Sequence, residues 1–312
     1  MILTVTPNPS LDRTYEVPSL DRGAVLRAAG ERVDPGGKGV NVSRAVAAAG
    51  GTTTAVLPLG GSAGTLLLEL LTAEGVDVTA VSIAGLTRSN IAVVEPDGTL
   101  TKINAAGPEL SARESGLLLD TVRGTTGADW IACCGSLPPG LEHRWYAELV
   151  TRAREAGARV ALDTSGPALA AALPARPDVV KPNAAELAEA VGRPLATLGD
   201  AVKAAEELVG RGAGAVLASL GPHGQLLVTA DAAHHGTAPV TAVRSDVGAG
   251  DAALAGFLTA GGTGPAALAS ALAHGAAAVQ LPGSVMPGPG DLRPEAVRIT
   301  RDLPLDLPLS AG

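Results

Sequence analysis

The segment SDVGAGDAALAGFL, residues 245–258, sets one carboxylate, Asp251, between glycines and a run of small apolar residues. The apolar run predicts a buried helix that starts here, and the first N–H groups of a helix have no partner inside it. Glycines at that point let the chain turn sharply and expose those amides to a phosphate with no Cβ in the way. The helix dipole also favours a carboxylate in the first turn, so on this segment alone Asp251 fits a helix-start residue equally well. Gly248, Gly250 and Ala253 match the G-x-G-x-x-A of dinucleotide-binding proteins, which further requires an acid about 20 residues on. No Asp or Glu follows Asp251 before Asp291, which argues against a nicotinamide or flavin cofactor.

A second glycine cluster, DPGGKGVNVSRAVAAAG at residues 34–50, again joins an extended stretch to an amphipathic helix. It is not a Walker loop, because Lys38 is followed by Gly39 rather than by the Ser or Thr that would hold magnesium. Lysine usage makes the position informative. Of the 23 basic residues only Lys38, Lys102, Lys181 and Lys203 are lysines, and the first three stand in the contexts GGKGVN, TKIN and VKPN. In a chain that otherwise uses Arg, compact ammonium groups at such places suggest point-charge contacts to phosphate or carboxylate. Lys203 lies in a plain helical pattern and reads as solvated.

These residues need a scaffold, and the chain predicts one. Short β-rich runs (ILTVT, TTAVLPLG, ADWIACCG, ARVALDTSG, DVVKPN, AGAVLASLG) alternate with helical ones from residue 1 to about 220. That alternation predicts an α/β fold with a mostly parallel sheet, helices on both faces and ligands at the carboxyl ends of the strands. Residues 11–33 and 85–105 break the rhythm with alternating patterns and a hairpin signal, IAVVEPDGTLTKIN, turning at Pro-Asp-Gly. They are expected to form a small inserted β-sheet lid, leaving 1–10, 34–84 and 106–312 as the main α/β domain.

Composition narrows the partners. The 312 residues carry a net charge of −8, which disfavours nucleic acid and anionic membranes. An anionic ligand therefore needs a local basic cluster. Cys133 and Cys134 are adjacent in a strand-like run, where neighbours point to opposite faces and seldom bridge. The stretch between Asp251 and Asp291 lacks Asp, Glu, Lys and Arg, but glycine and proline interrupt it, so buried helices are expected rather than a membrane span. No signal peptide is evident in MILTVTPNPS, and a cytoplasmic protein is expected.

Taken together, TPNPSLDRTY, GGKGVNVSRA, TRSNIAVV, CGSLPPG, KPNAAEL, SLGPHG and VGAGDAALAGFL resemble the ribokinase-like carbohydrate kinases of the phosphofructokinase B type, in the family's order along nearly the whole chain. The likeness is greatest to those acting on fructose 1-phosphate or tagatose 6-phosphate. It implies transfer from ATP, with magnesium, to a hydroxyl of a ketohexose phosphate, yielding fructose 1,6-bisphosphate in the first case. A sugar-phosphate sensor on the same fold would be the non-enzymatic alternative, though such a protein could shed Asp251 and its glycines.

The resemblance also implies roles. Asp251 would be the base, with the amides of Gly248, Ala249 and Gly250 as the anion hole over the transferred phosphoryl group. Lys181, Asn183 and Glu186 of KPNAAEL, Ser219, Gly221 and Gly224 of SLGPHG, and His274 with Gly275 would border ATP; Glu186 would reach magnesium through water. Asp12, Gly37 and Asn41 would hold sugar hydroxyls, and Lys38, Arg88 and Lys102 the substrate's own phosphate. A homodimer paired through the lid is implied as well. The chain departs from its relatives in having Ala252 where Ser or Thr often follows the aspartate, and Ala105-Ala106 where Glu-Pro is frequent.

Overall fold

A computed structural model describes residues 1–309. The chain opens with β1 (Ile2–Val5), then β2 (Ser10–Glu16), β3 (Gly30–Gly36) and helix α1 (Lys38–Ala48), followed by β4 (Thr53–Leu59), α2 (Gly61–Ala73) and β5 (Asp77–Ser82). Next come β6 (Arg88–Val94), β7 (Leu100–Ile103), α3 (Ala112–Arg123), β8 (Trp130–Cys134), α4 (Trp145–Glu155), β9 (Arg159–Asp163), α5 (Gly166–Ala172) and β10 (Val179–Val180). The last part contains α6 (Ala184–Val191), α7 (Leu198–Gly210), β11 (Ala215–Ser219), β12 (Gln225–Thr229), β13 (Ala233–Thr237), α8 (Ala249–Thr259), α9 (Gly264–Ala278) and β14 (Arg298–Thr300).

Ten strands form one sheet in the order β14-β13-β12-β11-β10-β9-β8-β1-β4-β5. From β11 to β5 all neighbours are parallel, as expected of strands linked by helices, while β12, β13 and β14 add an antiparallel edge. The sequence reading did not resolve that edge, because AHHGT in β13 has no apolar alternation. Its two histidines are nevertheless buried.

Period-two alternation divides the sheet's side chains between its faces. Leu3, Val5, Val56 and Cys133 pack with α3, α4, α5 and α7, whereas Ile2, Ala132 and Cys134 pack with α1, α8 and α9. Both cysteines are buried and free, one on each face. Helix α8 is buried on all sides from Asp251 to Leu258, clasped between α1 and α9, so the charge-free stretch is core. No described helix is long and apolar enough to cross a membrane.

A separate sheet of four strands, β3-β2-β6-β7, stands beside the first. Its strands fall between residues 10 and 36 and between 88 and 103, and β6–β7 is the hairpin turning at Gly98. Strand β3 runs on through Pro35 and Gly36, past the expected boundary at 33, and so delivers the chain straight into α1.

Candidate active site

The parallel strands converge on a buried charge cluster. Strand β9 ends at Asp163, which has no exposed surface. Its Oδ1 accepts a hydrogen bond from Lys38 Nζ at 2.8 Å, and its Oδ2 lies 3.0 Å from Lys181 Nζ. Lys38 is the first residue of α1, and Lys181 follows β10 and is itself buried. Burial works to push the Asp163 carboxyl up, but Lys181 and Lys38 outweigh it and hold it below the usual range. Burial likewise disfavours the Lys38 ammonium, yet Asp163, Glu186 and Asp251 together raise its pKa. One anion thus holds two cations that would otherwise repel.

Helix α8 points its N-terminus at this cluster. Gly248, the residue before the helix, has φ +78°, a left-handed conformation suited to glycine. A Cβ built on Gly250 would lie 3.2 Å from Lys181 Nζ, so the missing side chain lets the ammonium close on the amide turn. Asp251 is third in the helix and buried, and its Oδ2 accepts a hydrogen bond from Asn41 Nδ2 at 2.9 Å. Its carboxyl is pushed up to about 6, first by burial and next by the Asp163 charge; Lys181, Asn41 and Lys38 oppose the shift. A carboxylate poised near neutral pH beside exposed amides and two ammonium groups can take a proton while an anion is held next to it.

Around this centre, Asn183 and Glu186 form a capping box for α6. The Asn183 side chain accepts from the Glu186 N–H at 2.8 Å, and Glu186 Oε2 accepts from the Asn183 N–H at 2.9 Å. The box aims Glu186 Oε1 at Lys38 Nζ, 3.3 Å away. Among the described residues no group of three His, Cys, Asp or Glu side chains could by itself hold a metal ion. Glu186 alone, with Asp163 occupied by lysines, suits magnesium, which keeps several waters and draws ligands from phosphates.

Ser219 bridges to Asn183 at the end of β11, and Gly221 and Gly224 bound the tight connection into β12. Gly275 of α9 faces the start of α8, its Cβ direction lying 3.5 Å from the Ala249 carbonyl. His274 is a packed residue. Its Nδ1–H donates to the Ser270 carbonyl at 2.8 Å and its ring covers Gly256 of α8.

On the small sheet, Asp12 lies over Gly36, where any Cβ would collide with its carboxylate, and it accepts from Ser10 Oγ at 2.8 Å and Asn90 Nδ2 at 2.9 Å. Gly37, with φ +121°, then turns the chain into α1 toward Asn41. Arg88 donates through Nη1 to the Ala105 carbonyl at 2.7 Å and through Nη2 to the Asn8 carbonyl at 2.9 Å, while its Nε is buried without a partner. Backbone carbonyls, not side chains, orient this guanidinium. Lys102 is exposed on β7. Of the three cations expected at the substrate's phosphate, Arg88 and Lys102 stand on the small sheet, whereas Lys38 opens α1 with its ammonium held by the Asp163 and Glu186 carboxylates.

Residues 8–289 match the pfkB family carbohydrate kinases. The chain belongs to that family. It is 41% identical over 285 residues to 1-phosphofructokinase of Rhodobacter capsulatus, covering 88% of this chain and 90% of that one. Its structure resembles that of phosphofructokinase-2 from Escherichia coli in complex with fructose-6-phosphate, with a TM-score of 0.84 and 33% identity over 93% of this chain and 96% of that one. Arabidopsis thaliana ribokinase complexed with ribose and ATP shares the fold, with a TM-score of 0.75, 23% identity and coverage of 93% and 96%. The protein is thus a carbohydrate kinase on a ribokinase-like fold.

Several groups around the kinase's cluster were given no role by the sequence. Asp163 is the chief of these; a lone acid closing the apolar run RVALD, at the carboxyl end of a parallel strand, was the available signal. Asn90, which binds Asp12, and Asn8, which donates to the Ala106 carbonyl at 2.9 Å, stand in loops or strands where single polar residues carry no spacing signature.

Proposed function

We propose that this kinase transfers the γ-phosphoryl group of ATP in line to the 6-hydroxyl of fructose 1-phosphate, giving fructose 1,6-bisphosphate and ADP. The observation that carries the reading is Asp251, raised to about 6 by burial and by Asp163, at the N-terminus of α8 with Lys181 against Gly250. Asp251 takes the hydroxyl proton as the oxygen–phosphorus bond forms and the bond to the ADP oxygen breaks. The amides of Gly248, Ala249 and Gly250, with Lys181 and Lys38, hold the charge that gathers on the phosphoryl oxygens. Magnesium, when bound, neutralises charge on the ATP phosphates, and Glu186 is the residue placed to hold it through water.

The acceptor lies between the two sheets. Asp12, Asn41 and the Gly37 turn bind its hydroxyls, and the unpaired Arg88 Nε is available to its phosphate, with Lys102 on the same sheet. The small sheet acts as a lid. Its exposed Leu100, Ile103 and Ile91, at 40%, 60% and 37% exposure, support pairing with the lid of a second copy. Both substrates are metabolites of the cytoplasm, where we place the enzyme.

The 1-phosphofructokinase relative favours fructose 1-phosphate, while the likeness to a phosphofructokinase-2 bound to fructose-6-phosphate favours that isomer as a second reading. A coupled ADP-release assay with fructose 1-phosphate, fructose 6-phosphate, tagatose 6-phosphate and free fructose tests both. The highest kcat/KM should fall on fructose 1-phosphate; a clear preference for another acceptor would overturn the assignment.

A further inference from the structure

Gln225, the first residue of β12, is 7% exposed, and its side-chain Oε1 is buried with no hydrogen-bond partner. A buried carbonyl without a donor is costly, and native proteins seldom keep one without a use. Its surroundings suggest that use. Gln225 pairs across the ladder with Ser219, which in turn bridges to Asn183. Its Nε2 lies 3.3 Å from the Cβ position of Gly275, whose other neighbours are the Ala253 side chain and the Ala249 carbonyl at the start of α8. The carboxamide therefore sits among residues that border the proposed ATP site, one glycine away from the turn that would hold the transferred phosphoryl group. Asn183 in that set also carries a carboxamide, but its oxygen is engaged by the Glu186 N–H, whereas that of Gln225 is not.

We propose that Gln225 is a nucleotide-specificity residue whose carboxamide hydrogen-bonds the nucleoside of ATP. An amide offers a donor and an acceptor side by side, the pattern that complements the edge of a purine or the hydroxyls of a ribose. The inference rests on ATP being the phosphoryl donor. Asp251 and the lysines supply transfer without discriminating among nucleoside triphosphates, whereas Gln225 supplies the discrimination.

The test compares wild type, Gln225→Ala and the similarly sized Gln225→Leu with ATP, ITP and 2′-deoxyATP at saturating sugar phosphate. The KM for ATP should rise about five- to thirtyfold with kcat within about twofold and the sugar-phosphate KM unchanged, by the usual worth of a buried neutral hydrogen bond. The rise should be at least about threefold smaller for ITP if the contact is to the base, or for 2′-deoxyATP if it is to the ribose. An equal change with all three nucleotides, or a shift in the sugar-phosphate KM, would overturn the proposal. Calorimetric binding to wild type alone gives a second measure, free of any folding defect: equal affinity for the three nucleotides overturns it too. A wild type that releases no ADP with any sugar phosphate would sink the kinase reading itself, which these nucleotide comparisons leave separate.

Discussion

Asn41 and Asp251, 210 residues apart in sequence, are joined by a 2.9 Å hydrogen bond from the Asn41 amide to the carboxylate. The bond ties the GGKG turn at α1 to the GAGD turn at α8. Arg44 Nη1, 3.4 Å from Asn41 Oδ1, favours the orientation in which the amide nitrogen faces Asp251. This hydrogen bond opposes the burial that raises the Asp251 pKa to about 6. Removing it in Asn41→Ala should raise that pKa further, so the base is deprotonated only at higher pH. The acid limb of kcat should move upward, costing about three- to tenfold more activity at pH 6 than at pH 8. A pH–rate profile whose limb stays in place would show that Asn41 does not tune the base.

Asp163 is the anion shared by the Lys38 and Lys181 ammonium groups. Asp163→Asn keeps its shape but leaves the buried Lys181 without its carboxylate partner and Lys38 with Glu186 alone, a loss on the order of 3 to 5 kcal/mol in urea unfolding, as for other broken buried pairs. The sign with pH follows from its depressed pKa: the carboxylate stabilises the fold above the unfolded-state value and loses that contribution as pH falls through the folded one. The stability gap between wild type and Asp163→Asn should therefore be full at pH 7 and shrink in acid. A gap independent of pH would refute the clamp.

Arg88 is held by two carbonyls, and its buried Nε has no partner. Arg88→Ala should lower kcat/KM for fructose 1-phosphate by roughly thirty- to a thousandfold, the range for removing one partner of a desolvated charge contact, with the KM for ATP little changed. Free fructose should be a poor acceptor for both proteins. Equal use of fructose and fructose 1-phosphate by wild type would mean that no phosphate subsite operates.

The α/β core was legible because its strands alternate with helices and its glycine turns have distinctive chemistry; Asp251, Lys181 and Asn183–Glu186 could be placed on the right elements from that alone. The partner of Lys38 was not legible. Lys38 and Asp163 are 125 residues apart and meet only because β9 lies between β10 and β8, with β1 on the far side of β8, so strand order, not local pattern, decides which carboxylate captures the lysine. The antiparallel edge was hidden for a related reason: β13 buries histidines, and a strand that lacks apolar alternation gives no period to read.

The small sheet leaves Ile103 60% exposed and Leu100 40% exposed. Light scattering at micromolar concentration should give the mass of two chains, and Ile103→Asp should shift it toward one. A monomeric mass for wild type would count against lid pairing.

The central claim is that Asp251 removes the proton from the acceptor hydroxyl. Steady-state kcat for wild type and Asp251→Asn, with ATP and fructose 1-phosphate between pH 5 and 8, tests it most directly. Because the carboxyl must be ionised to act, wild-type kcat should climb through about 6 and level off above it. Asp251→Asn should be at least about a hundredfold slower across the range and should lack that limb, with nucleotide binding little changed. A variant with near-normal kcat, or with the same acid limb as wild type, would contradict the assignment of Asp251 as the base.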